Sequence, residues 1–194
     1  MLGRYIVGIT GASGSIYGKR VIEELLQRRQ EVCLVATDNG SKVFEYEIGI
    51  GVDRFLEIMC KEKSSITRYE NDNFFAPIAS GSYDIDAMVV APCTMTTIGK
   101  MSTGISDTLL TRAADVCLKE RRRLVVVPRE MPLNSIHLKN MLTLSLENAV
   151  ILPPIPSFYQ HPYTIEDQTD SIVGRILQSI GIENDLYKKW GSIS

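Results

Sequence analysis

The sequence predicts an α/β protein: a doubly wound, Rossmann-like and mostly parallel sheet with helices on both faces. Five short runs rich in β-branched and apolar residues, at 5–9, 32–36, 87–91, 124–127 and 149–152, have the near-continuous hydrophobicity of strands buried on both sides. Longer stretches with apolar residues at helical spacing separate them, and that alternation places helices on the crossovers between parallel strands. With 194 residues, hydrophobic residues at 44% and charged residues at 23%, the chain can bury one sizeable core without disulfide or metal staples.

After the strand at 5–9, a helix over 15–29 puts Ile16, Val21, Ile22, Leu25 and Leu26 on one face. The run at 32–36 is the second strand, followed by short helices over 41–48 and 53–60. A weaker run at 65–69 reads as an edge strand. The fourth strand, 87–91, precedes a helix over 108–120 whose inner face carries Leu109, Leu110, Ala113, Val116 and Cys117. A strand at 124–127, a helix over 135–148 and a strand at 149–152 come next. Pro153, Pro154 and Pro156 forbid helix beyond it, so Ile155, Phe158 and Tyr159 belong to an ordered loop that docks its aromatics. A last helix spans 164–180.

Composition narrows the function classes. Lys+Arg 21 against Asp+Glu 23 leaves a net charge of −2, which argues against general polyanion binding. The four cysteines, Cys33, Cys60, Cys93 and Cys117, form no C-x-x-C pair, and His137 and His161 form no H-E-x-x-H pattern, so no metal is expected. Widely spaced thiols, an N-terminal apolar run too short for a secretory leader and no stretch approaching about 18 apolar residues make the cytoplasm the expected location.

In a doubly wound sheet, ligands bind outside the carboxyl ends of the strands, so the residues after each strand are the candidates. After the first stands Thr10-Gly11-Ala12-Ser13-Gly14-Ser15-Ile16-Tyr17-Gly18, small residues that let backbone N–H groups approach a phosphate at a helix start. Its G-x-x-G-x-x-x-G spacing is neither the dinucleotide fingerprint nor a P-loop, and a tight turn explains the glycines equally well. After the second stands Thr37-Asp38-Asn39-Gly40 and after the fourth Pro92-Cys93-Thr94-Met95-Thr96-Thr97. Both offer hydroxyls and amides to sugar-alcohol and phosphate oxygens, with helix capping as the plain alternative.

After the fifth stands Pro128-Arg129-Glu130-Met131-Pro132, in which Arg129 could fork onto a phosphate while Glu130 exchanges a proton. A solvated charge pair is the competing account. Arg112 and Lys119, seven apart on one helix face, and Arg175 in the last helix serve equally as surface ion-pair partners. Glu45 and Glu47 sit at a helix end, and Trp190 is either a lid or a packing anchor.

The set T-G-A-S-G-x-x-Y-G, A-P-C-T-M-T-T, R-A-A-D-V-C-L-K-E, V-V-V-P-R-E-M-P-L-N-S-I-H-L-K-N-M and P-P-I-P-S-F-Y resembles the UbiX-type flavin prenyltransferases, in one register from about Tyr5 to Trp190. The resemblance implies that 1–194 is a single flavin-binding domain with a C-terminal helical tail from about 164. It implies transfer of a dimethylallyl group from dimethylallyl phosphate to N5 and then C6 of reduced FMN. Prenylated FMN would then serve UbiD-type decarboxylases. It further implies metal-independent chemistry and a homo-oligomer, a dodecamer with active sites between subunits.

Residue by residue, the resemblance implies that Gly11, Ala12 and Ser13 line the flavin, with Thr37, Thr94, Met95, Thr96, Thr97 and Arg129 completing its site. Lys119, Glu130, Tyr159 and Arg175 would hold the prenyl phosphate, with Arg112 adding positive charge. Ser13 and Glu47 would sit near N5, and Glu130 or the departing phosphate would take the C6 proton. Thr37 and Thr94 stand where Ser is frequent, and both keep the hydroxyl.

Two other functions compete. FMN-dependent decarboxylases of the phosphopantothenoylcysteine and lantibiotic type use a His upstream of the fourth strand and a P-x-M-N-x-x-M loop. Here residues 75–82 contain no His, and the loop reads Pro132-Leu133-Asn134-Ser135. A non-catalytic flavin-binding protein would have no use for Lys119, Glu130, Tyr159 and Arg175.

Overall fold

A computed structural model of the chain describes residues 2–60, 65–159 and 161–187. Among these, the strands are β1 (Arg4–Ile9), β2 (Glu31–Ala36), β3 (Ile66–Tyr69), β4 (Ala87–Cys93), β5 (Arg123–Pro128) and β6 (Val150–Ile151). They form one sheet in the order β3-β2-β1-β4-β5-β6, every neighbouring pair parallel. The helices are α1 (Ser15–Gln27), α2 (Asp38–Ile48), α3 (Val52–Cys60), α4 (Met95–Ser102), α5 (Leu109–Lys119), α6 (Ser135–Leu146) and α7 (Ile165–Ser179). All six expected strands form, the run at 65–69 lies at one edge with β6 at the other, and the sheet is wholly parallel.

Alternation inside each apolar run divides the core in two. Val7, Leu34, Val89 and Val125 face α1 and α7, where Leu25 and Ile176 meet them. Ile6, Cys33, Met88 and Val126 face the other way, toward α5 and α6 with Leu110, Ala113, Met141 and Leu144. Periodicity did not anticipate α4: of its polar sequence only Thr97, Ile98 and Met101 are buried, too few to mark an apolar stripe. A single 3-10 turn at Pro77–Ala79 was likewise unforeseen.

Strand order reverses between β1 and β4, and there the packing is closest. A side chain on Gly18 would run into the carbonyl oxygen of Ala91, and one on Gly40 into that of Ile9, so both glycines let helices sit directly on strand ends. The Thr10 hydroxyl, fully buried, donates to the Pro92 carbonyl at 2.9 Å and accepts from the Thr94 N–H at 2.8 Å. On the α1 side, the buried Glu24 pairs with Arg20 and Arg28, and Arg20 reaches across to Asp170 of α7 at 2.7 Å. α6 and the loop after β6 leave Ile136, Leu142, Leu146, Ile155 and Phe158 exposed. No helix among the described residues is long and apolar enough to cross a membrane.

Thr10→Val keeps the side-chain shape but leaves the half-buried Thr94 N–H without its acceptor, so the unfolding free energy should fall by about 1 kcal/mol. Urea denaturation should show a lower midpoint with an unchanged slope. An unchanged midpoint would mean that the two strand ends are held by packing alone.

Candidate functional site

Among the described residues, three helices start around one open cleft of about 670 Å³ at the carboxyl edge of the sheet, beside the point where strand order reverses. Thr37 caps α2, accepting from the Gly40 N–H at 3.0 Å. Thr94 caps α4, accepting from the Thr97 N–H at 3.1 Å, and the Thr94 and Thr97 hydroxyls lie 2.9 Å apart. Thr108 and Thr111 form a reciprocal capping box on α5. All three threonine caps line the cleft together with Gly11, Asn39 and Thr96. Converging helix starts aim the positive ends of their dipoles and oriented N–H donors at the cleft, features that suit an anionic ligand. Gly11 is required here, because a Cβ on it would come within 2.7 Å of the Asn39 Cβ.

Adjoining the cleft through Gly11 is a second cluster. Glu47, at the end of α2, accepts from the N–H groups of Gly14 at 3.0 Å and Ser15 at 2.8 Å. Gly14 holds φ at 106°, the left-handed conformation that turns both amides toward the carboxylate. Burial would raise the Glu47 pKa, but hydrogen bonds from the Ser13 hydroxyl and the Ser15 and Gly14 amides outweigh it and hold the carboxyl below its ordinary value. The start of α1, a phosphate candidate on sequence grounds, is thus occupied by the chain's own carboxylate. Arg129 donates its Nε–H to the Ser13 carbonyl at 3.3 Å, while its amide donates to the Cys93 carbonyl at 3.2 Å. Glu130 beside it accepts from the Met131 N–H at 3.1 Å.

The structure therefore brings Gly11, Ala12, Ser13, Thr37, Glu47, Thr94, Met95, Thr96, Thr97, Arg129 and Glu130 to the carboxyl edge. Tyr159 lies on the loop that leaves this edge after β6. Lys119 does not join them: it ends α5 just before β5 begins, at the amino edge, where it pairs with Glu120. β4 alone has seven residues, which puts the two edges about 20 Å apart. Arg112 donates to the Ala79 carbonyl at 3.1 Å and pairs with Asp115 at 2.8 Å. Arg175, near the amino-edge end of α7, donates to Gln178 at 3.0 Å. Trp190 lies outside the described residues.

The cleft also includes residues that the sequence reading passed over: Lys42, Lys100, Asp107 and the segment 70–72 with Phe74. The segment follows β3, and applying the carboxyl-end rule to that weak strand would have found it. Lys100 and Asp107, read alone, carry no signal beyond that of surface charges.

Because the Glu47 carboxyl titrates lower in the folded chain than unfolded, its stabilisation is complete above the unfolded value and is lost as pH falls through the folded one. Glu47→Gln should lower stability by about 1 kcal/mol near neutrality, the scale of a solvent-accessible helix cap. In chemical denaturation the gap to the parent should close under acid conditions. A gap that stays constant with pH would deny the carboxylate its charged role.

The flavoprotein family model matches residues 3–180. The flavin prenyltransferase UbiX of Methanocaldococcus jannaschii is 47% identical over 190 residues, 98% of this chain and 100% of that protein. Among solved structures, AnUbiX (PadA1) in complex with FMN and dimethylallyl pyrophosphate superposes with a TM-score of 0.93 at 36% identity, covering 100% of both chains. A dodecameric FMN-dependent UbiX-like decarboxylase from Escherichia coli O157:H7 gives 0.90 at 38%, covering 96% of this chain and 98% of that one. With a cleft at the sheet's reversal point and full-length similarity of this order, the chain belongs to the UbiX flavin prenyltransferases of the flavoprotein family.

Proposed function

We propose that the chain is a flavin prenyltransferase joining a dimethylallyl group from dimethylallyl phosphate to N5 and C6 of reduced FMN. The observation that carries this reading is the threonine-capped cleft opening beside Ser13, Glu47 and Arg129 at one sheet edge. These residues fit FMN. Hydroxyls of Thr37, Thr94, Thr96 and Thr97 and the bare backbone of Gly11 suit its ribityl phosphate arm, and Ala12, Ser13, Met95, Glu47 and Arg129 would face its ring. Reduced FMN, as the acceptor, supplies the nucleophilic N5 and C6.

The protein's own work is to hold, orient and neutralise. Glu47, kept ionised by Ser13 and the α1 amides, fixes the loop that carries Ser13, and that loop in turn receives Arg129. Breaking the allylic C–O bond develops negative charge on the departing phosphate. Lys119, Arg175 and Tyr159, with Arg112 nearby, would stabilise that charge by several kcal/mol in a site from which water is excluded. Glu130, whose carboxylate accepts from the Met131 N–H of its own loop, or the departing phosphate would take the ring proton released at C6. A decarboxylase of the phosphopantothenoylcysteine type would need a histidine before β4, and none occurs in 75–82.

One chain cannot assemble all these groups, because Lys119 lies at the opposite sheet edge from Ser13 and Arg129. The site would be composite, formed between subunits of a homo-oligomer, a dodecamer as in the Escherichia coli O157:H7 protein. The exposed Ile136, Leu142, Leu146, Ile155 and Phe158 supply apolar surface for such contacts. The product would pass to a UbiD-type decarboxylase in the cytoplasm, where the buried thiols Cys33, Cys93 and Cys117 would stay reduced.

Anaerobic incubation with reduced FMN and dimethylallyl phosphate, followed by mass spectrometry of the released flavin, tests the activity directly. A gain of one five-carbon unit is expected. Unchanged flavin on a protein that still binds FMN would overturn the transfer. Lys119→Met and Arg129→Met should each lower turnover about 100-fold. Oligomers reassembled from an equal mixture should recover roughly a quarter of parental activity, since that share of composite sites draws both intact residues. No recovery would place Lys119 and Arg129 in the same subunit's site.

A further inference from the structure

On the reading that the cleft holds FMN, we propose that Lys100 binds the flavin phosphate and that Asp107 tunes how tightly it does so. Lys100 is on the last turn of α4, and its Nζ donates to both carboxylate oxygens of Asp107, at 3.0 and 2.7 Å. Both residues line the cleft that carries the Thr37, Thr94 and Thr108 caps. The pair spans a surface loop, with side chains 34% and 51% exposed, so both groups are accessible to a ligand in the cleft.

Charge balance in the cleft gives the pair its meaning. Among the described residues its lining holds four carboxylates, Asp38, Glu70, Asp72 and Asp107, against two ammonium groups, Lys42 and Lys100. Helix starts alone would have to overcome that surplus to hold a dianion. Lys100 is one of the two cationic side chains in that lining, so a phosphate drawing it from Asp107 gains a direct ammonium partner. Exposed ion pairs are weak, whereas a phosphate offers about two charges and three acceptor oxygens, so exchange of Asp107 for phosphate is favourable. Asp107 then remains as a nearby negative charge that limits the affinity. Among the described residues, Asp107 is the cleft carboxylate in an ion pair with a cleft ammonium group, so this part falls to it and not to Asp38, Glu70 or Asp72.

The test compares FMN with riboflavin, which lacks the phosphate, by flavin-fluorescence titration of the full chain. Lys100→Met should weaken FMN binding about tenfold and leave riboflavin unchanged, the scale of one charge-assisted hydrogen bond reduced by solvent. Asp107→Asn should tighten FMN about threefold, again without effect on riboflavin, and that gain should disappear when Lys100→Met is added. Equal changes for both flavins, or none for either, would overturn the proposal while leaving FMN binding intact. A parent chain that binds FMN no better than riboflavin would also overturn it. Failure of the parent to bind FMN at all would overturn the functional reading on which it rests.

Discussion

The Thr10 hydroxyl sits where the sheet changes direction. Crossovers leaving β1 and β4 depart toward opposite faces, so the ends of these neighbouring strands have no helix between them and a crevice opens. Something must hold the crevice at a fixed width without filling it. Thr10 does so with one buried oxygen, which donates to the Pro92 carbonyl near the end of β4 and accepts from the Thr94 amide that begins the α4 cap. Gly18 and Gly40 then let α1 and α2 approach the same strand ends more closely than any side chain permits. The result is a cleft into which backbone and the short hydroxyls of Thr37, Thr94 and Thr108 project from the helix starts, with donors already oriented when an anion arrives.

Legibility in the sequence followed burial. Strands covered on both faces are continuous apolar runs, and each was found with its ends within a residue or two of the structure. α4 was not found, because a short helix at a ligand edge is selected for its N-terminal hydroxyls and has few apolar residues to show a period. The glycine motif was read as ambiguous between phosphate loop and tight turn. The structure divides it: Gly11 belongs to the cleft, Gly14 turns amides toward Glu47, and Gly18 is a helix-to-strand contact.

Glu47 could not be found from spacing, since a carboxylate at a helix end is ordinary and its partners lie more than thirty residues earlier. Only the family resemblance singled it out. By contrast, the edge position of Lys119 is fixed by topology, a consequence the sequence reading did not draw. A helix that precedes a parallel strand ends where the strand begins, so its last residue belongs to the amino edge. Spacing that puts Arg112 and Lys119 on one helix face says nothing about which edge each reaches.

That placement bears on how the reaction would be controlled. The flavin-side groups and the groups assigned to the departing phosphate are both anion-binding sets. Were all of them on one edge of one chain, a lone subunit would concentrate positive charge with no ligand to balance it, and would expose the reacting centre to water. With Lys119 and Arg175 directed to the far edge and paired meanwhile with Glu120 and Gln178, each set is satisfied within its own chain. On the proposed function, the lone chain carries a flavin cleft without the prenyl-phosphate cations. Assembly through the exposed apolar surface of α6 and the proline-rich loop would bring the two sets together and exclude water, so that allylic cleavage becomes possible only where a flavin cleft is already enclosed.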